Sequence, residues 1–391
     1  MLKKGGDQSL VRIHNQNLIL EEIIKNKQIS RADLAKSLNI SAPSISTNVE
    51  PLLRSGILHE RGLGKSAAGR KPIMLQFNFK YGYILGIDLS KGRIVSALSD
   101  LSGKPERITK GERTKHVVGH DLITMIEEHI HMVLKREEVE LTSILAIAIA
   151  SPGILMNHRH IRLDLDQINW QDVNPALVLQ ERLNVPVVLE NDINLATLAE
   201  YQSLKKYEQT ENMVFISIGR GLGSGLIIRG ELYKGSFGGA GEVALMSSSI
   251  KSQNLQYYET ILSLESLRKE VLISRPISSN SVQIEDDEKF LEYISDLLSK
   301  GDPYIHTCID NMSKHIAVMI SNVSALFNPQ LVVIGGELMT LSNYLFPKIK
   351  NEVYRIYPFP IEMKVSEEVE YVGLYGCLAI AKERAIGQLI N

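Results

Sequence analysis

An Asn-Asp pair, Asn191 and Asp192, stands directly after the apolar run VPVVLE and before the helix-like segment INLATLAE. An amide and a carboxylate side by side can do two kinds of chemistry. Asp192 could take a proton as a general base, or the pair could hold the hydroxyls of a ligand, since each side chain offers directed donors or acceptors. A second set of residues is glycine. Gly219, Gly221, Gly223 and Gly225 alternate in IGRGLGSGL, and Gly335 and Gly336 follow the apolar PQLVVI. Such backbones can approach a phosphate closely, or they can simply close tight hairpins. Strand and glycine-turn units gathered around one cleft point to a nucleotide, a sugar or both.

The elements that must position these residues are read from composition and pattern. A chain of 391 residues, 44% hydrophobic, is long enough for two or three domains with real cores. No segment is as apolar as a membrane span, and the start MLKKGGDQSLVRIHNQN lacks a signal-peptide stretch, so a cytoplasmic protein with no membrane partner is expected. Cys308 and Cys377 fit no metal or redox spacing. The net charge of −2 hides a split. Residues 1–80 carry 13 Lys/Arg against 6 Asp/Glu, or +7, and the remainder carries 30 against 39, or −9. A basic module joined to an acidic one follows.

In the basic module, residues 15–25 carry apolar side chains at helical spacing, Ser30 caps RADLAKSL, and NIS breaks that helix before APSISTNVEPLLRSG. This is a helix-turn-helix. Ser41, Ser44, Ser46, Thr47 and Asn48 are the short polar side chains expected near base edges and phosphates. ILHERGLGKSAAGRKPIMLQF then reads as two strands around a basic tip with Arg61, Lys65, Arg70 and Lys71, which completes a winged helix. A small helical interaction domain is the alternative. Pro51 predicts that the recognition helix bends or ends early.

From Tyr83 the pattern becomes strand, turn, strand, which is a hairpin rather than a Rossmann start. ILAIAIASPG reads as a buried strand, VPVVLENDINLATLAE as strand then helix, NMVFISIGRGLGSGLII as two strands around a glycine turn, and NMSKHIAVMISNVSALFN as a helix feeding the strand PQLVVI. His158 and His160 in NHRHIR are read as solvent-facing turn residues, not metal ligands.

The ordered set GIDLSKGR, AIASPGI, INWQDV, VPVVLENDINLATLAE, IGRGLGSGLIIRGELYKG, GGAGEVALM and NPQLVVIGGEL, behind a winged helix, resembles the ROK family of repressors and sugar kinases, in its N-acetylglucosamine and xylose repressor branch. The resemblance runs from about Ile13 to Ile386. It implies a winged helix (1–78) and an α/β, actin-like, ribonuclease-H-type pair of lobes, 79–198 joined by the C-terminal helix 376–391, and 199–375, with dimerisation through the second lobe. Asn191, Asp192, Glu242 in GAGEVAL and Glu259 in YYETILS match the family's sugar-holding positions.

The departures lie elsewhere. Asp88 is kept in the first phosphate loop, but Ser90, Lys91 and Gly92 replace its Gly-Gly-Thr, and Gly219-Arg220-Gly221 stands where Gly-Thr-Gly is usual. With those features gone, the remaining glycines, with Gly335 and Gly336, are read as degenerate nucleotide loops serving hairpin geometry, and Mg-ATP is disfavoured. Ala244-Leu245 replaces the family's Gly-His, and its cysteine-rich segment is absent, so no zinc is expected. The function implied is a sugar-responsive repressor, a homodimer or dimer of dimers, whose operator DNA is released when a small-molecule sugar enters the cleft. Asp192 then grips rather than catalyses. The alternatives are a working sugar kinase with Asp192 as base, or a regulator with residual kinase activity.

Overall fold

The N-terminal segment folds as three helices and a small sheet because its apolar residues recur on one face of each element. Helix α1 (Gln8–Asn26) buries Ile19, Leu20 and Ile23, and starts before the Asn15 expected from periodicity. Strand β1 (Ile29–Ser30) leads into α2 (Arg31–Leu38), where Ser30 Oγ accepts from Asp33 N at 3.1 Å and donates to the Asp33 carboxylate at 2.6 Å. Helix α3 (Ala42–Arg54) follows, then β2 (Leu58–Leu63) and β3 (Ile73–Phe77), in the sheet order β1-β3-β2. Pro51 does not end α3, early termination being one of the two outcomes the sequence allowed. The helix runs on to Arg54, because the proline forfeits one backbone hydrogen bond near the helix end while Ile45, Val49 and Leu52 stay buried.

This computed structural model describes residues 8–63, 72–90, 92–113, 117–156, 159–161, 168–170, 173–204, 210–251, 254–274, 286–367 and 370–390. The first lobe comprises β4 (Tyr83–Asp88), β5 (Ile94–Asp100), β6 (Arg107–Gly111), α4 (Gly119–Arg136), β7 (Ile144–Ser151), the hairpin β8 (Ile154–Met156) and β9 (Arg159–Ile161), α5 (Pro175–Leu183), β10 (Val187–Asn191) and α6 (Asp192–Leu204). Its sheet has the order β10-β7-β4-β5-β6, with β4, β5 and β6 antiparallel and β7 and β10 parallel to β4.

The second lobe repeats that plan. It holds β11 (Met213–Ile218), β12 (Leu222–Ile228), β13 (Glu231–Tyr233), the hairpin β14 (Ser247–Lys251) and β15 (Asn254–Tyr257), α7 (Leu264–Ser274), α8 (Asp287–Ser299), α9 (Pro303–Phe327), β16 (Leu331–Gly335), α10 (Ser342–Ile356) and β17 (Glu362–Val365). Its sheet order, β13-β12-β11-β16-β17, has the same senses: an antiparallel meander, then two strands parallel to the first. Two such units form the actin-like pair of lobes.

Between the sheets lies a layer made of α6 and the last helix, α11 (Val372–Gln388). Strand β7 shows how sequence builds it. Ile147 and Ile149 face α4 and α5, whereas Ala146, Ala148 and Ala150 face α11, so the thin side of the strand admits the helix. Glycines do the same elsewhere. A methyl on Gly376 of α11 would overlap the Leu195 carbonyl oxygen of α6, and one on Gly225 of β12 would overlap the Thr197 hydroxyl. Gly223 and Gly225 are therefore contact glycines that seat α6 on the second sheet, rather than the hairpin-forming glycines the sequence suggested. Replacing Gly376 by Ala should destabilise the protein by about 1–3 kcal/mol, because the overlap is with backbone and cannot rotate away. An unaltered urea midpoint would show that the two helices can part freely.

The winged helix is not a separate bead. Its core residues and those between β4, β7 and α11 form one continuous cluster, against which Phe79, Ile386 and Leu389 pack.

Candidate functional site

The Asn191-Asp192 pair sits at the end of β10, where Asn191 lies beside Ser151 of β7, and Asp192 opens α6. Asn191 is chiefly a cap. Its Oδ1 accepts from Asn194 N at 3.0 Å and its Nδ2 donates to Gly153 O at 3.0 Å. Glu190 braces the same turn, its Oε1 accepting from Asn191 N at 2.9 Å and from Asn194 Nδ2 at 3.0 Å.

Asp192 is half-buried and accepts Ile193 N at 3.0 Å. Burial first, and then the negative charge of Asp88, push its carboxyl up to about 7, with Glu242 adding to the effect and backbone N–H groups opposing it. Asp88 is buried at the end of β4, and its Oδ1 accepts Ser90 N at 2.8 Å and Ser90 Oγ at 2.6 Å. Gly373, at the start of α11, leaves room for both: a methyl there would stand 3.1 Å from Asp88 Oδ2 and 3.7 Å from Asp192 O. Glu242 precedes a short 3-10 turn and is also raised, by burial and then by Glu259. Glu259 in turn faces the β11–β12 turn, where a methyl on Gly221 would lie 3.7 Å from its Oε1. The fold thus brings Asp88, Asp192, Glu242 and Glu259 into one electrostatic group spanning both lobes.

A carboxyl near neutrality can accept from one ligand hydroxyl and donate to another. It also gives folding a defined pH dependence. The folded value of Asp192 lies above its ordinary one, so its contribution is full below the ordinary aspartate range and is lost as pH rises through about 7. Asp192→Asn does not titrate. Its melting temperature should therefore gain on wild type between pH 5 and pH 8, and a difference independent of pH would contradict the raised value.

The glycine loops are packed from within. Gly219 N donates to Gly221 O at 2.9 Å, closing the turn, and the Glu337 carboxylate presses against Gly219 so closely that a methyl there would overlap it. Gly336, at φ 88°, meets the Ile218 backbone, and a methyl on Gly335 would stand 2.9 Å from the Phe215 ring, so both glycines serve packing. Arg220, its side chain 71% exposed, pairs with Asp287 at the start of α8, which also accepts from Arg268 Nη2 at 2.6 Å. The Glu337 carboxylate and the Arg220–Asp287 pair thus both lie at this turn. Ala244 is buried and Leu245 is 50% exposed. Among the described residues no group of three or more His, Cys, Asp or Glu is placed to hold a metal. His160 lies on β9 opposite Leu155, in a strand rather than a turn, and His158 lies outside the described residues.

In the head, Ser41 caps α3, Ser46 and Thr47 are exposed and Ser44 is half-buried, with Thr47 Oγ1 donating to Pro43 O at 2.9 Å. Asn48 departs from expectation. It is only 5% exposed, its Nδ2 donates to Ser44 O at 2.9 Å, and its backbone carbonyl accepts Gln16 Nε2 at 3.2 Å. The helical phase puts it on the inner face with Ile45, Val49 and Leu52, so it is not a base-reading side chain in this structure. Arg54, unremarked in the sequence, is exposed at the end of α3, and Arg61 is exposed on β2. Lys65, Arg70 and Lys71 lie outside the described residues.

The ROK family model matches residues 84–384, and a winged helix-turn-helix DNA-binding model matches residues 14–58. The chain belongs to the ROK family. Relatives include the xylose repressor of Bacillus spizizenii, 29% identical over 364 residues and covering 90% of each chain. The DNA-binding transcriptional dual regulator NagC of Escherichia coli is 24% identical, covering 98% of this chain and 96% of that one. Among solved structures, a ROK family transcriptional regulator homologous to E. coli MLC aligns at TM-score 0.80 with 22% identity over 98% of both chains. A ROK family glucokinase from Streptomyces griseus, in complex with glucose and AMPPNP, aligns at 0.63 with 20% identity, covering 77% of this chain and all of that one. No helix of the described residues is long and apolar enough to cross a membrane.

Proposed function

We propose that the protein is a sugar-responsive transcriptional repressor, released from operator DNA when a sugar binds between the lobes. Asp192 and Glu242 accept the sugar hydroxyls, Asn191 holds the turn beneath them, and Glu259 approaches from the second lobe. D-xylose is the leading effector, supported by relatives named as xylose repressors and by apolar Leu245, which stands where the family's histidine would. A homodimer presents two winged helices to paired half-sites. Glu337 against Gly219 speaks against a kinase.

The observation that carries this proposal is α11. Its first turn meets Asp88 and Asp192 through Gly373, and further along Lys382 lies over the ring of Phe79, which packs edge-on against Phe77 of the winged helix. One helix of 17 residues, about 25 Å long, joins effector cleft to DNA head. A sugar that favours one arrangement of the lobes therefore shifts the head with it. Operator binding titrated with D-xylose tests the proposal.

Arg70 and Lys71 provide the sequence-independent part of DNA affinity. Replacing both by Ala should weaken binding to all sequences and lower the slope of log affinity against log salt by up to about 2. An unchanged slope would remove the basic tip from the interface.

A further inference from the structure

The geometry points to Lys234 and Glu190 as a clasp between the lobes that positions the Asn191-Asp192 turn against Glu242. This rests on the cleft being the effector site. Lys234 directly follows β13 in the second lobe, and its ammonium pairs with Glu190 Oε2 at the end of β10 in the first. Glu190 is 8% exposed at its side chain, and its other oxygen already holds Asn191 N and Asn194 Nδ2, so one carboxylate grips both the second lobe and the turn that bears Asp192.

The loop that carries Lys234 also carries Glu242, and it is stiffly tied. Ala240 N donates to Lys234 O at 3.2 Å, which folds the loop back on itself. Ser224 Oγ donates to Gly241 O at 2.6 Å, and Gly241, at φ 89°, lies against the Ser224 backbone with no room for a side chain. Two electrostatic effects of opposite sign therefore act between the same two segments. Glu242 adds its negative charge to that of Asp88 around Asp192, so like charges from both lobes oppose one another there. Lys234 faces Glu190 and attracts. Without the clasp, repulsion would open the loop and separate the acids that must meet one sugar. With it, the acids are held ready, and less ordering remains for the ligand to bring about.

Full-length wild type, Lys234→Met and Lys234→Arg test the clasp. Hydrogen exchange without ligand should rise over residues 190–197 and 234–246 in Lys234→Met and remain near wild type in Lys234→Arg. D-xylose, titrated calorimetrically, should bind Lys234→Met about 10-fold more weakly and Lys234→Arg within about twofold of wild type. Unchanged exchange in Lys234→Met would overturn the clasp. Raised exchange with wild-type D-xylose affinity would overturn its positioning role. Failure of wild type itself to bind D-xylose would count against the effector assignment instead, and the exchange measurement would still decide the clasp.

Discussion

Replacing Asp192 by Asn should leave operator binding near native and raise the D-xylose needed for release by roughly 5- to 150-fold, the equivalent of about 1–3 kcal/mol. The size of the side chain is kept. At pH 8, where the Asp192 carboxyl is ionised, one acceptor oxygen becomes a donor, so hydroxyls that donated to the carboxylate lose their partner in a half-buried site. Glu242→Ala should act in the same direction, by removing the second carboxylate altogether. Release titrations without nucleotide, paired with unliganded operator affinity, check both. A normal release curve for Asp192→Asn, or wild-type release only on adding ATP, would restore a catalytic role to Asp192.

Replacing Phe79 by Ala should uncouple the head from the cleft. Phe79 lies in the 3-10 turn Phe79–Tyr81 between β3 and β4, its ring 5.1 Å from that of Phe77 and beneath the Lys382 ammonium of α11. Its carbonyl accepts Leu101 N at 2.9 Å, and Lys382 Nζ donates to Ser102 O at 3.2 Å, so head, first lobe and α11 meet at this point. With the ring removed, operator and sugar should each bind nearly as before. The effect of one on the other should fall from the 5- to 150-fold typical of coupled sites to about twofold or less. Because linkage is reciprocal, sugar affinity measured with and without operator must show the same loss. Lys382→Met, which keeps the stem packed, should reduce coupling less. Full coupling in Phe79→Ala would place the signal's route elsewhere.

The local plan of the molecule was legible because it rests on short-range pattern. The alternation of Ile and Ala in β7, the strand-to-helix junction at Asn191-Asp192 and the Ser30 cap all follow from periodicity and side-chain chemistry within a few residues. Asn48 was legible in principle: counting three and four residues from Ile45 and Leu52 puts it on the buried face, and its polarity pulled the expectation outward. Early termination at Pro51 did not occur because tertiary burial of α3 outweighed a local penalty.

What was not legible depends on contacts distant in sequence. That Gly223 and Gly225 seat α6 requires knowing which helix lies on β12. That Lys234 meets Glu190, or that Glu337 fills the turn at Gly219, requires the register of two lobes. The repeat of one sheet plan in both lobes is carried by strand order, which different sequences share without shared motifs.

The most direct measurement is operator affinity of the full-length wild type, on a site recovered by selection from genomic fragments, titrated with D-xylose in the absence of nucleotide. Saturable release by D-xylose, abolished or shifted to at least fivefold higher sugar in Asp192→Asn, is the expected result. Operator binding indifferent to sugar, together with magnesium-dependent phosphorylation of that sugar by the same preparation, would contradict it.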